Sequence, residues 1–163
     1  MKDSSETAPR SGLKNWSRRG DAILCAGHFS NYVRAFPGGG AEQVVEILDT
    51  TRGNEGPDQT KVFIPFMALM EVEYWLLRRL SPREMETTLF LVDNWPSQVV
   101  ESNPQRRHEA GRVKATASLS VADAWIAALA ILNQGELVHK DPEFEQLSPR
   151  LKMLRLPYKS SPV

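Results

Sequence analysis

Leu119–Phe144 reads LSVADAWIAALAILNQGELVHKDPEF. Ser120 has the side chain of a helix N-cap, and the Ala-rich run behind it predicts a helix ending near Gly135. Leu137, Val138 and His139 then form a short strand, and Asp141 follows it directly. An acid is thus set just beyond a strand end, with a second, Asp123, in the first turn of the preceding helix.

The same alternation extends in both directions from this stretch. Upstream, Pro104 to Ala117 is an amphipathic helix and Gln98 to Glu101 a brief strand. Ser81, Pro82 and Glu84 fit N-cap, N1 and N3 of a helix reaching about Asn94. Phe66 to Leu80 is helical, with Leu69, Val72, Leu76 and Leu80 as its inner stripe and Arg78 and Arg79 near its end, where cations suit the helix dipole. Lys61 to Pro65 (KVFIP) is short and β-branched, as expected of a buried parallel strand. Before it come a polar loop from Thr50 to Thr60, a helix carrying Ala41, Val44, Val45 and Leu48, a break at Pro37–Gly40, a helix from His28 to Ala35, and a strand at Ile23 and Leu24. Leu151 to Leu156 supplies a last strand. Strands alternating with single helices or helix pairs imply an α/β sandwich on a mostly parallel sheet, because each parallel crossover requires a helix.

The chain has 163 residues, enough for one compact domain, which the pattern places at 21–158 between tails at 1–20 and 159–163. Lys plus Arg and Asp plus Glu both number 20, so bulk charge does not announce a nucleic-acid binder and such a role must rest on local patches. A lone cysteine forms no intrachain disulfide and fits a reducing cytoplasm. No apolar run is long enough to span a bilayer, and residues 1–20 lack the apolar core of a secretory signal.

Glu71, Asp123 and Asp141 are the acids that parallel-sheet topology carries toward the carboxyl ends of strands, where ligands bind. Each has a structural reading as well. Asp123 completes a capping box with Ser120, Asp141 before Pro142 marks a turn, and Glu71 is an ordinary helix residue. Taken together they form a set of hard oxygen ligands suited to Mg²⁺ or Mn²⁺.

Ile23–Gly40 (ILCAGHFSNYVRAFPGGG), Ile64–Arg79 (IPFMALMEVEYWLLRR), Leu119–Ala128 (LSVADAWIAA) and Leu137–Phe144 (LVHKDPEF) resemble, in order and spacing, the PIN domain family, and within it the VapC-type ribonuclease toxins of bacterial toxin–antitoxin modules. The resemblance implies a three-layer α/β/α fold with a central, mostly parallel sheet of four to five strands. It further implies a metal-dependent endoribonuclease acting on RNA, an antitoxin partner, and dimerisation in the form of a homodimer. Glu71, Asp123 and Asp141 match the family's acids and take the catalytic and metal-binding roles. The family's remaining acid, at the end of the first strand, is replaced by Cys25, and the Ser or Thr two residues later by Gly27. Asp21 is no substitute, since it precedes the strand and emerges roughly 13 Å away at the opposite edge.

The reading that follows is phosphodiester hydrolysis with Mg²⁺ or Mn²⁺ held by Glu71, Asp123 and Asp141. The alternative is a catalytically weakened PIN-like module that binds RNA or protein without cutting, as the degenerate position Cys25 suggests. A third class is a docking module whose groove, built from Phe29, Tyr32, Trp75 and Leu76, receives an amphipathic peptide. His28, Asn31, His139 and Lys140 are candidates to face the site as a base or phosphate contact. Arg106, Arg107, Arg112 and Lys114 form a basic strip compatible with RNA or with a solvated helix face. Trp75, Trp95 and Trp125 are expected in the core or at a subunit contact.

Overall fold

The computed structural model describes residues 22–24, 41–52 and 61–157. The two tails, Asp21, Cys25, Gly27, the expected His28–Ala35 helix with Phe29, Asn31 and Tyr32, the Pro37–Gly40 break and the loop after Arg52 lie outside the described residues. Among the described residues there are five strands: β1 (Ala22–Leu24), β2 (Val62–Pro65), β3 (Gln98–Val100), β4 (Glu136–His139) and β5 (Lys152–Arg155). The helices are α1 (Ala41–Arg52), α2 (Phe66–Leu77), α3 (Pro82–Asp93), α4 (Pro104–Thr116) and α5 (Val121–Leu132), with a 3₁₀ helix at Pro142–Leu147.

The strands lie in the order β3-β2-β1-β4-β5, and every pairing is parallel. The register sets Leu24 opposite Val138 and His139 opposite Arg155. A parallel sheet must be covered on both faces. One face packs against Val72 and Leu76 of α2, Val92 of α3, Val113 of α4 and Ile126 and Leu129 of α5. The other packs against Val44, Ile47 and Leu48 of α1. Strand β4 shows the division, sending Leu137 to the first cluster and Val138 to the second. The expected three-layer arrangement is thus observed.

Local chemistry explains where the helices begin and end. Ser81 and Glu84 form the capping box at the start of α3, with the Ser81 N–H donating to Glu84 Oε2 at 2.9 Å. Helix α5 is apolar almost all round, as a helix buried between layers must be, and Ala124, Ala127, Ala128 and Ala130 let its neighbours approach closely. It ends earlier than expected. The Gln134 N–H donates to the Ile131 carbonyl at 3.2 Å and the Gly135 N–H to the Ala130 carbonyl at 3.0 Å, a paired closure that ends the helix with Gln134 at φ 52°. Glycine stands one residue too late to occupy that left-handed position. Helix α1 runs one turn further than its apolar stripe because Thr51 is accommodated in the interior. Its hydroxyl donates to the Leu48 carbonyl at 2.6 Å. Among the described residues, no single helix is long and apolar enough to cross a membrane.

Candidate metal site

All five strands point the same way, so their carboxyl ends share one edge of the sheet. The strand order reverses between β1 and β4, and crevices that bind ligands open beyond the carboxyl ends at such reversals. Three segments deliver acids there. Helix α2 starts directly after β2 and carries Glu71 roughly 8 Å along its axis from Phe66. Helix α5 leads into β4 and runs back against it, so its first turn, with Asp123, lies at the same edge. Asp141 follows β4 after one intervening residue and caps the 3₁₀ helix.

The two aspartates are held by their own backbone surroundings. Ser120 Oγ accepts from the Asp123 N–H at 3.0 Å and donates to Asp123 Oδ2 at 2.6 Å. Asp141 Oδ1 accepts from the Glu143 N–H at 2.8 Å. Capping and ligation are therefore compatible, because each capping bond engages one carboxylate oxygen and leaves the second out of it.

The turn that caps Asp141 also brings in an acid that the sequence reading passed over. Ligand oxygens of Asp123, Asp141 and Glu143 all lie within 4.8 Å of one another. Opposed oxygens around an octahedral Mg²⁺ are about 4.2 Å apart, so small side-chain rotations bring the three onto one hard cation. In the sequence Glu143 simply follows the turn that Asp141 and Pro142 mark. The D-x-E spacing across a 3₁₀ start was the available clue. Glu71 stands outside this trio but close enough to Asp123 to feel its charge: burial, reinforced by Asp123, pushes the Glu71 carboxyl above its usual range.

That shift has a measurable sign. The folded-state pKa of Glu71 exceeds its unfolded value, so the native chain holds more protons between the two. The resulting contribution to stability is complete below the unfolded pKa and is lost as pH rises through the folded one. Without metal, Glu71→Gln is expected to melt above the parent at neutral pH, with the gap closing below about pH 4. Thermal melts across that range check it; a gap independent of pH would mean that ionised Glu71 is not the source.

His139 does not face the crevice. Its side chain is fully buried, so it cannot touch a phosphate or exchange a proton with substrate, contrary to the expectation from its position. Nδ1 lies 2.9 Å from the Asp141 carbonyl, and burial holds the imidazole below its usual pKa. The basic strip on α4 is also largely occupied within the chain. Arg106 Nη1 donates to the Glu101 carbonyl at 2.8 Å, Lys114 Nζ to the Leu119 carbonyl at 2.6 Å, and Arg112 lies 3.7 Å from Glu109, leaving Arg107 exposed. Trp75 and Trp125 are half-buried. The Arg79 guanidinium covers the Trp75 ring at 4.2 Å, and Phe66 meets Trp125 edge to face at 5.6 Å.

The PIN domain family profile matches residues 36–148, a span that takes in α1 to the 3₁₀ helix and begins after Cys25. No curated protein matches the sequence significantly. Among solved structures, the fold is similar to VapBC2 from Rickettsia felis bound to a promoter DNA fragment, at 13% identity and a TM-score of 0.65, covering 83% of this chain and 98% of that one. DNA-bound VapBC from Salmonella typhimurium is similar at 20% identity and a TM-score of 0.62, with coverage of 83% and 98%. Mycobacterium tuberculosis VapC20, a sarcin-ricin loop cleaving toxin, is similar at 14% identity and a TM-score of 0.61, with coverage of 83% and 99%. At these identities the likeness establishes the fold.

Proposed function

Since the chain belongs to the PIN domain family, we propose that it is a metal-dependent endoribonuclease, the toxin of a toxin–antitoxin pair. The observation that carries this reading is the convergence of Asp123, Asp141 and Glu143 within 4.8 Å at the carboxyl edge of a parallel sheet. The donor set is all oxygen, which suits Mg²⁺ or Mn²⁺. Such an ion, when bound, polarises the scissile phosphate and lowers the pKa of a water. The chain's own part is to hold three carboxylates ready, with Glu71 near enough to Asp123 to feel its charge. Burial raises the Glu71 carboxyl, and without a cation the Asp123 charge adds to that rise. The similar fold of VapC20, an RNA-cleaving toxin, supports RNA as substrate, and that of the VapBC complexes supports an antitoxin partner.

Cys25, standing where the family resemblance places an acid, favours a second reading in which the fold binds RNA or protein but cuts poorly. Glu143 bears on the choice, because it adds a third carboxylate to the two aspartates. The experiment is cleavage of a structured RNA by the purified chain with Mn²⁺, beside Cys25→Ser and Cys25→Asp. The nuclease reading expects Mn²⁺-dependent cleavage, abolished by EDTA and unchanged in Cys25→Ser. Cleavage by Cys25→Asp alone would establish the weakened form, and a folded parent that neither binds Mn²⁺ nor cuts would end the nuclease reading.

A further inference from the structure

His139 is the buried titratable group that the proposed chemistry leaves unused. It ends β4, and its imidazole is enclosed by the Asp141 turn, the 3₁₀ helix and β5. Nδ1 donates to the Asp141 carbonyl at 2.9 Å, and the same carbonyl accepts from the Phe144 N–H at 3.3 Å. The ring meets Phe144 edge to face, centroids 5.5 Å apart. The His139 carbonyl accepts from the Leu156 N–H at 2.8 Å, tying the residue's own backbone to the segment after β5.

The other ring nitrogen is not satisfied in this way. Among the described residues, Nε2 has no hydrogen-bond partner, and the nearest acid, Glu145 Oε1, is 3.8 Å away. Glu145 is itself clamped by Arg155, whose Nε and Nη2 each donate to one carboxylate oxygen at 2.5 Å. A leucine of similar bulk would fill the site without leaving a buried nitrogen unpaired, an arrangement that costs free energy and calls for an explanation. The single good hydrogen bond that the imidazole makes is to the peptide of Asp141.

We infer that His139 is a positioning residue for the metal site: its Nδ1–H fixes the Asp141 peptide, and through it the directions of the Asp141 and Glu143 carboxylates. The geometry explains how one bond controls two acids. Asp141 Oδ1 is joined to the Glu143 N–H, and Glu143 is the second residue of the 3₁₀ helix whose first turn closes on the Asp141 carbonyl. A peptide rotation at Asp141 would therefore turn both side chains away from Asp123. The Glu145–Arg155 pair braces the far end of the same short helix against β5. His139 takes no part in proton transfer on this account, and the inference rests on the metal-site reading above.

The test is Mn²⁺ affinity, with the metal alone as probe, measured by calorimetry on folded parent, His139→Leu, His139→Asn and Ile47→Val. Ile47 lies in the core on the opposite face of the sheet and serves as a control for general loosening. His139→Leu is expected to weaken Mn²⁺ binding by about 10–100-fold, the usual effect of removing a group that orients a ligand. His139→Asn carries an amide N–H where Nδ1 was, and is expected to recover most of that loss, while Ile47→Val binds as the parent does. If the leucine variant fails to fold, His139→Gln, which sets its donor one bond further out, must show the loss instead. Parental affinity in the leucine or glutamine variant, or no recovery with asparagine, overturns the inference. A folded parent that binds no Mn²⁺ overturns the metal-site reading and this one with it, a pattern distinct from binding that is indifferent to residue 139.

Discussion

Asp141→Asn should leave the fold intact while sharply weakening Mn²⁺ binding and RNA cleavage. Asparagine keeps a carbonyl oxygen where Asp141 Oδ1 accepts from the Glu143 N–H, so the start of the 3₁₀ helix survives. The backbone carbonyl that receives His139 Nδ1 is untouched. What changes is the second oxygen, which becomes an amide donor and cannot ligate a cation. The expected loss is about 10²-fold or more in Mn²⁺ affinity, larger than that for a group that only orients a ligand. The accompanying loss in single-turnover cleavage is on the order of 10³-fold, similar to deleting one charge-stabilising group from an active site. Thermal stability without metal should not fall, because one of several repelling charges has gone. Asp123→Asn should behave alike, and the double variant should be little worse than either single, since both serve one ion. A variant that folds and cleaves at the parental rate would reduce Asp141 to a helix cap.

The sequence disclosed what is set locally and hid what depends on convergence. Ser81-Pro82-Glu84 and Ser120-Asp123 announced helix starts because a cap and its partner are three residues apart, and the hydrogen bonds are formed there. The parallel sheet was legible from short apolar runs separated by helices. Its edges were less so: β4 begins at Glu136, which is buried, because the sheet and its neighbours enclose a position that polarity alone would assign to a loop. Glu71, Asp123 and Asp141 could be placed at one edge from topology, but no periodicity indicates which acids point at each other. Glu143 enters through a turn only two residues long, and Glu71 stands outside the trio. The burial of His139 is hidden from the sequence for a related reason. Flanked by Lys140 and Asp141 it looks like a surface residue, yet β5 and the 3₁₀ helix, both later in the chain, close over it.

Phe144→Ala is expected to be the most damaging single core substitution near the site, lowering stability by about 3–5 kcal/mol. Phe144 is 1% exposed and among the largest fully buried side chains, packed in the cluster that includes Leu137, Leu147 and Leu151. A domain of this kind has a total stability of about 5–15 kcal/mol, so the loss is a large fraction and should lower the melting temperature by on the order of 10 °C. Phe144→Leu fills most of the space, retains the anchor and should cost less than about 1.5 kcal/mol. The site should feel the difference as well, because Phe144 adjoins Glu143 and holds one side of the His139 ring. Urea denaturation in EDTA and in saturating Mn²⁺ separates the two effects. An ion at 100 times its dissociation constant adds about 2.7 kcal/mol to any chain whose site is intact. The parent and Phe144→Leu should show that gain in full, and Phe144→Ala only part of it, since the 3₁₀ helix that presents Glu143 has lost its hold on the core. A loss below about 1 kcal/mol in EDTA, with the Mn²⁺ gain unchanged, would show that the acid turn stands without this anchor, and that the His139 and Arg155 contacts suffice to keep it in place.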